Sequence, residues 1–313
     1  MKRIELTQSR RIKPIAARGE SWIAAIMMAA GLWFPSPAYA AVNITILNHS
    51  FESPQTTFAF PDATDWDETG PISEDPQLPG VVDTLDTGVF FNSPVDSMGM
   101  PSPFFIPNAD GMQLGFIGAV DNSDIAYFQE LDAPYEVAAK YTLLLDVGTS
   151  SFLPPRIFSS SDPPLLAVRL YYDESPSSRV IVTQRLVSLD EMPENTNLIE
   201  FAATTGFLDV SSSAVGENIG VEIRPFAGEF GNWNLDNARL SADCGTGFAF
   251  GDVDADGDVD LTDYAVVAEC VTGPQNGPAP ASCPPCAFER SDSDADGDVD
   301  LRDVAVFLSG FTG

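Results

Sequence analysis

The sequence predicts a mostly β protein, a two-layer β-sandwich followed by a small α-helical tail, and three observations carry that prediction. Between Ala41 and Ala242 the chain passes through short runs rich in β-branched and aromatic residues, each bounded by Pro, Gly, Asp or Ser clusters. Several runs alternate with a period of two, as in Arg179-Val-Ile-Val-Thr-Gln-Arg, and no long helical period interrupts them. Beyond Ala242 the chain repeats itself at an offset of forty residues: Asp254 to Leu261 is identical to Asp294 to Leu301, and each copy is followed by apolar residues at spacings of three and four.

The first forty residues stand apart. Lys2, Arg3, Arg10, Arg11, Lys13 and Arg18 precede the apolar run "WIAAIMMAAGLWF" at 22–34, and Ala38-Tyr39-Ala40 is a small-x-small cleavage site. A run of this length is too short to span a bilayer comfortably, so residues 1–40 read as a secretory signal peptide cleaved after Ala40. The expected location is secreted, extracellular or cell-surface, with no transmembrane segment in the mature chain. The 313 residues carry a formal charge of −31 and a pI near 4.1. That balance argues against nucleic acid or an anionic membrane as a partner and suits divalent cations.

In chain order the expected strands are "VNITIL", "VVDTL", "GVFF", "MQLGFIG", "IAYFQEL", "YTLLLDV", "LLAVRLYY", "RVIVTQRLV", "NLIEFAAT", "IGVEIRPF" and "NWNLDNARLS". Roughly ten strands in about two hundred residues imply a sandwich. Aromatic platforms for a sugar ring are available in Tyr171, Tyr172, Trp66, Trp233 and the Phe104-Phe105 pair. The single histidine, His49, reads as a loop residue, and no nucleophilic triad has its candidates. No catalytic residue is assigned.

The repeated segments fit a twelve-residue calcium loop, which needs oxygen ligands at positions 1, 3, 5, 7, 9 and 12 and a glycine at 6. The first loop offers Asp252, Asp254, Asp256, Asp258 (through its carbonyl), Asp260 and Asp263, turning at Gly257. The second offers Asp292, Asp294, Asp296, Asp298 (again by its carbonyl), Asp300 and Asp303, turning at Gly297. So many carboxylates in one turn repel each other unless a cation sits among them, and Ca2+ is the expected cofactor. Val259 and Val299, at position 8, are expected to join the loops through a short backbone ladder. After each loop a helix is expected, with Leu261, Tyr264, Ala268 and Val271 on one face and Leu301, Val304, Leu308 and Phe311 on the other, the two packing together. The segments before the loops, "CGTGFAFG" and "CPPCAFERS", read as non-helical. Cys244, Cys270, Cys283 and Cys286 form an even set in an exported chain, hence two disulfides, with three connectivities open.

Two resemblances follow from these residues. "NITILNHSFESP" at 43–54, Trp66 and "NWNLDNARLSA" resemble the jelly-roll, galactose-binding-like sandwiches of carbohydrate-binding modules over most of 41–242. That resemblance implies a structural calcium held by Glu52 and Asp236 with carbonyls around Asn48. The duplicated loop and exit helix, with Asp at position 12, resembles the type I dockerin module over 249–313. It implies docking onto a cohesin-like or other surface protein. Leu261-Thr262 and Leu301-Arg302 at loop positions 10 and 11, and the long cysteine-bearing linker, depart from that pattern. The resulting reading is a secreted, calcium-binding, non-catalytic protein associated with extracellular polysaccharide. A polysaccharide-degrading glycoside hydrolase component and an architectural cell-envelope protein are its alternatives.

Overall fold

The computed structural model describes residues 41–312 except 56–57, 60–62, 70–72, 75–81, 84–86, 96–97, 103–104, 120–124, 150–164, 177, 193–196, 227–230, 246–248, 275–278 and 281. The leader read at 1–40 and Phe104 lie outside the described residues. Fourteen strands are described: β1 Val42–Ile44, β2 Phe58–Ala59, β3 Asp67–Thr69, β4 Ser73–Glu74, β5 Val82–Asp83, β6 Thr87–Phe91, β7 Gln113–Ala119, β8 Ala126–Pro134, β9 Lys140–Thr149, β10 Leu165–Ser175, β11 Ser178–Ser188, β12 Ile199–Thr204, β13 Asn218–Phe226 and β14 Gly231–Asp243. Helices α1 Leu261–Cys270, α2 Pro285–Ser291 and α3 Leu301–Gly310 follow.

Twelve of these strands form a jelly-roll β-sandwich, and β4 and β5 pair with each other in a separate two-stranded sheet. One antiparallel sheet runs β12-β9-β14-β7-β6-β2, with β1 also on β14, and the other runs β11-β10-β13-β8-β3. From β7 onward the chain passes repeatedly from one sheet to the other, so each strand buries one face against its opposite layer. The period-two pattern does this work: Tyr141, Leu143, Leu145 and Val147 of β9 and Leu166, Val168, Leu170 and Tyr172 of β10 all enter one core. Each such side chain contributes about 1.5–3 kcal/mol when fully buried.

Strand β14 creates the place where a site can form. β9 pairs with it from Trp233 to Asp243, but the register shifts between Asp236 and Arg239, where Asn237 adopts a left-handed φ of 52°. On its other flank β7 pairs only with Gly231–Leu235 and β1 only with Leu240–Ala242. The gap between them is filled by the turn after β1, whose His49 carbonyl accepts from the Ala238 N–H at 2.8 Å.

The tail belongs to the same compact unit, Ala38–Gly313. It has a small core of its own, with Val253, Val259, Val267, Val299 and Phe307 among its buried members. Disulfides join Cys244 to Cys286 and Cys270 to Cys283. Three expectations are corrected here. The segment before the second loop is helical: Pro285 stands at the first helical turn, where a missing N–H and a fixed φ favour helix initiation, and α2 follows. The helix faces are rotated relative to the sequence reading. Val267, Cys270 and Phe307 point inward with Asp263 and Asp303, whereas Leu261, Leu301 and Leu308 are 71%, 83% and 59% exposed. Of the expected stripe, Val304 and Phe311 pack on the small core, and Tyr264 meets the Phe307 ring at 5.9 Å. Finally, the position-8 valines do not pair with each other. Val259 N–H donates to Thr312 Oγ1 and its carbonyl accepts from Thr312 N–H, at 3.1 and 2.9 Å. Val299 and Thr272 repeat the arrangement at 3.0 Å for both bonds. Each loop is thus clasped by the threonine that follows the other unit's helix.

Candidate metal centres

Each acidic loop gathers its carboxylates around its position-12 aspartate. Asp252, Asp254 and Asp263 bring one oxygen each within 4.8 Å of one another, as do Asp258, Asp260 and Asp263. The second loop repeats both groups with Asp292, Asp294 and Asp303 and with Asp298, Asp300 and Asp303. Positive φ at Ala255 and Gly257, and at Ala295 and Gly297, folds each loop back on itself. Asp263 Oδ1 accepts from the Val253 and Asp254 N–H groups at 2.7 and 3.1 Å, and its Oδ2 accepts from Asp260 N–H at 2.9 Å. That last bond and the Asp260 carboxylate form a capping box at the start of α1, and Asp300 with Asp303 does the same for α3. Asp256 and Asp296, at position 5, accept from Asp258 and Asp298 N–H groups at 3.1 and 3.2 Å instead of joining a carboxylate group.

The donor set suits a hard cation. Asp252 is buried, and its Oδ1 has no hydrogen-bond partner, an orphan that a metal ion would satisfy. Burial, with the charges of Asp263 and Asp256, raises the Asp252 carboxyl above its ordinary range. Asp254 is raised by desolvation and Asp263. Asp258 is raised first by Asp256. Mutual repulsion of this kind is what a divalent ion relieves. The two loops differ at position 11: Arg302 donates from Nη1 to Asp294 Oδ2 at 2.5 Å, whereas the first loop has Thr262 there.

In the sandwich, Glu52 and Asp236 grip the same segment from two sides. Glu52 Oε1 accepts from Met112 and Gln113 N–H groups at 2.7 and 2.8 Å, and Asp236 Oδ2 accepts from Asp110 N–H at 2.6 Å. Gly111, between them, has φ +90°, and a Cβ there would collide with Glu52 Oε1. Asp236 is 0% exposed, and its Oδ1 is buried without a partner. Desolvation, with Asp110 and Asp146 adding repulsion against two backbone N–H bonds, lifts its pKa to about 7. The carbonyl of Asn48 is otherwise engaged: it accepts from Phe51 N–H at 3.0 Å and Trp66 Nε1 at 3.2 Å. Asp110 and Asp146 were not singled out by the sequence, where nothing marks them among many acids.

Four of the expected aromatic platforms are buried, and Phe105 is half-buried. Trp66, Trp233 and Tyr172 lie in the sandwich core. Tyr171 is on the outer face of the five-stranded sheet, yet it is buried, flat over Gly220 and beneath the Arg179 guanidinium at 3.7 Å from its ring centroid. The same face carries Glu222, which accepts from Arg169 (3.2 Å), Arg179 (3.1 Å) and Arg224 (2.5 Å). Among the described residues no helix is long and apolar enough to cross a membrane.

No family model matches the chain, and no curated protein matches it. The chain is similar to several solved structures. A Stig cyclase, Fisc from Fischerella sp. TAU, solved with a pyrrolidinylidene-indole, is 20% identical over 65% of this chain and 98% of its own, with a TM-score of 0.50. TmCBM61 in complex with beta-1,4-galactotriose is 12% identical over 62% of this chain and 95% of its own, at a TM-score of 0.33. A CBM4 structure is 13% identical over 63% and 99%, at 0.31. At 20% identity the cyclase likeness establishes a common β-sandwich and carries no activity with it. By fold, the chain is an antiparallel β-sandwich protein bearing a disulfide-stapled helical tail with paired acidic loops.

Proposed function

We propose that this is an exported, non-catalytic calcium-binding protein that combines a sandwich of carbohydrate-binding type with a dockerin-like assembly tail, associated with extracellular polysaccharide. The observation that carries the reading is the duplicated convergence of carboxylates on Asp263 and on Asp303. Oxygen-only donors at this spacing, with a glycine turn at position 6, suit calcium over softer metals. When bound, the ion would neutralise the loop. The chain's own part is to hold the loop shut: Asp263 and Asp303 clamp the loop backbone to the first turn of α1 and α3, and the Thr312 and Thr272 clasps tie the two halves together. In the sandwich, Asp236 with Glu52 is the proposed structural ion site, and its unpartnered Oδ1 supports that. The exposed Leu261, Leu301 and Leu308 offer the apolar surface on which a cohesin-like or other surface protein would dock.

The test is calorimetric titration of the mature chain with calcium, joined to a pull-down on insoluble polysaccharides with an assay for released reducing sugar. Two tail sites, retention and no sugar release are expected. Absence of binding at millimolar calcium would refute the calcium reading, and sugar release would refute the non-catalytic one.

A further inference from the structure

We infer that the helical tail is locked to the sandwich through α2, so that ion occupancy of the acidic loops sets the stability of the sandwich core; the inference rests on the calcium reading above. Three ties converge on this seven-residue helix. Its Cys286 is bonded to Cys244, the residue after β14, and both sulfurs are buried in the sandwich's own core. Its first turn has no side-chain cap of its own. Glu136, from the β8–β9 turn, supplies one, its two oxygens accepting from Cys286 and Ala287 N–H groups at 3.0 Å each. At its other end Arg290, only 4% exposed, donates to the Val137 carbonyl at 3.0 Å and the Cys244 carbonyl at 2.8 Å on the sandwich side.

The same guanidinium donates to the Val253 carbonyl at 2.9 Å. Val253 lies between two proposed ligands, Asp252 and Asp254, and its N–H donates to Asp263 Oδ1 at 2.7 Å. The residue after α2 is Asp292, position 1 of the second loop. One buried helix therefore touches both loops and the sandwich. Loops that spring apart on ion loss would pull Val253 and Asp292 away from α2, stranding buried donors that water cannot reach. By linkage, whatever the ion gives to the sandwich, the sandwich returns as ion affinity.

Trp66 and Trp233 are the only tryptophans after residue 40, and both are buried in the sandwich. Tryptophan fluorescence thus reads the sandwich alone. In the full mature chain, calcium in place of chelator should raise the fluorescence-monitored Tm by about 4 °C or more. An Asp254→Asn/Asp294→Asn variant should lose most of that shift. Arg290→Met should keep the calcium stoichiometry, weaken loop affinity about five-fold or more and shrink the shift; Glu136→Gln should do the same should Arg290→Met fail to fold. A shift that survives intact in the double loop variant, or no shift while calorimetry registers bound calcium, overturns the inference. No bound calcium at all would remove the reading it rests on, and the inference with it.

Discussion

Replacing Asp263 by asparagine separates what this side chain does for the fold from what it does for an ion. The carboxylate accepts three backbone N–H groups, two through Oδ1 and one through Oδ2. Asparagine keeps an oxygen for Val253 and Asp254, but presents an amide donor to Asp260 N–H, so one half-buried bond, the reciprocal half of the capping box, is lost. Without metal the cost should be about 1–2 kcal/mol. With calcium a hundredfold above the dissociation constant, an occupied site adds about 2.7 kcal/mol that a variant unable to bind forfeits. The wild-type minus Asp263→Asn gap should therefore widen by up to that amount on adding calcium. Urea titration followed at 222 nm, in calcium and in chelator, measures both gaps. A gap of the same size in the two conditions would mean that Asp263 faces no ion and serves only as a helix cap.

Three further outcomes are expected. Cys244→Ser/Cys286→Ser opens a loop of separation 42 and Cys270→Ser/Cys283→Ser one of 13, which chain entropy puts at about 4 and about 3 kcal/mol respectively; denaturation midpoints unchanged by either pair would contradict this. Arg302→Thr should strengthen calcium binding in the second loop, by no more than about five-fold because the pair is exposed, and leave the first loop unchanged; a weakened second loop would show that Arg302 helps to build it. Burial raises the Glu136 carboxyl above 4.5, opposed by the Cys286 and Ala287 N–H bonds and by Arg290. A raised folded value means that the native state holds the proton more tightly, so this group's contribution is largest in acid and falls as pH rises from 4.5 through the folded value. The stability difference between wild type and Glu136→Gln should grow as pH drops toward 4.5, and a difference that shrinks would reverse the sign.

The sandwich was legible because alternation is a local signal: every run expected as a strand contains one, and the omissions are β2, β3 and β4, two or three residues each and too short to carry a period. The acidic loops were legible for the same reason, since spacing fixes which carboxylates meet. What the sequence could not convey is long-range. Glu136 and Arg290 are 154 positions apart, and nothing local marks one as the cap of α2 and the other as its bolt. The helix faces were assigned one residue out of phase because apolar content alone favoured Leu261, Leu301 and Leu308. Asp263 and Asp303 actually point inward, and the buried face must include them. Tyr171 and Trp233 illustrate a further limit: an aromatic ring in a strand reads alike whether it faces solvent, core or a covering arginine.

The most direct test of the account is a calcium titration of the mature chain, with bound metal counted by elemental analysis and the helical signal followed in parallel. Two equivalents taken up by the tail, lost together in Asp263→Asn/Asp303→Asn, with a calcium-dependent gain in helix, are what the converging carboxylates predict. A chain that retains no metal after desalting from millimolar calcium, and whose spectrum ignores both calcium and chelator, would contradict it.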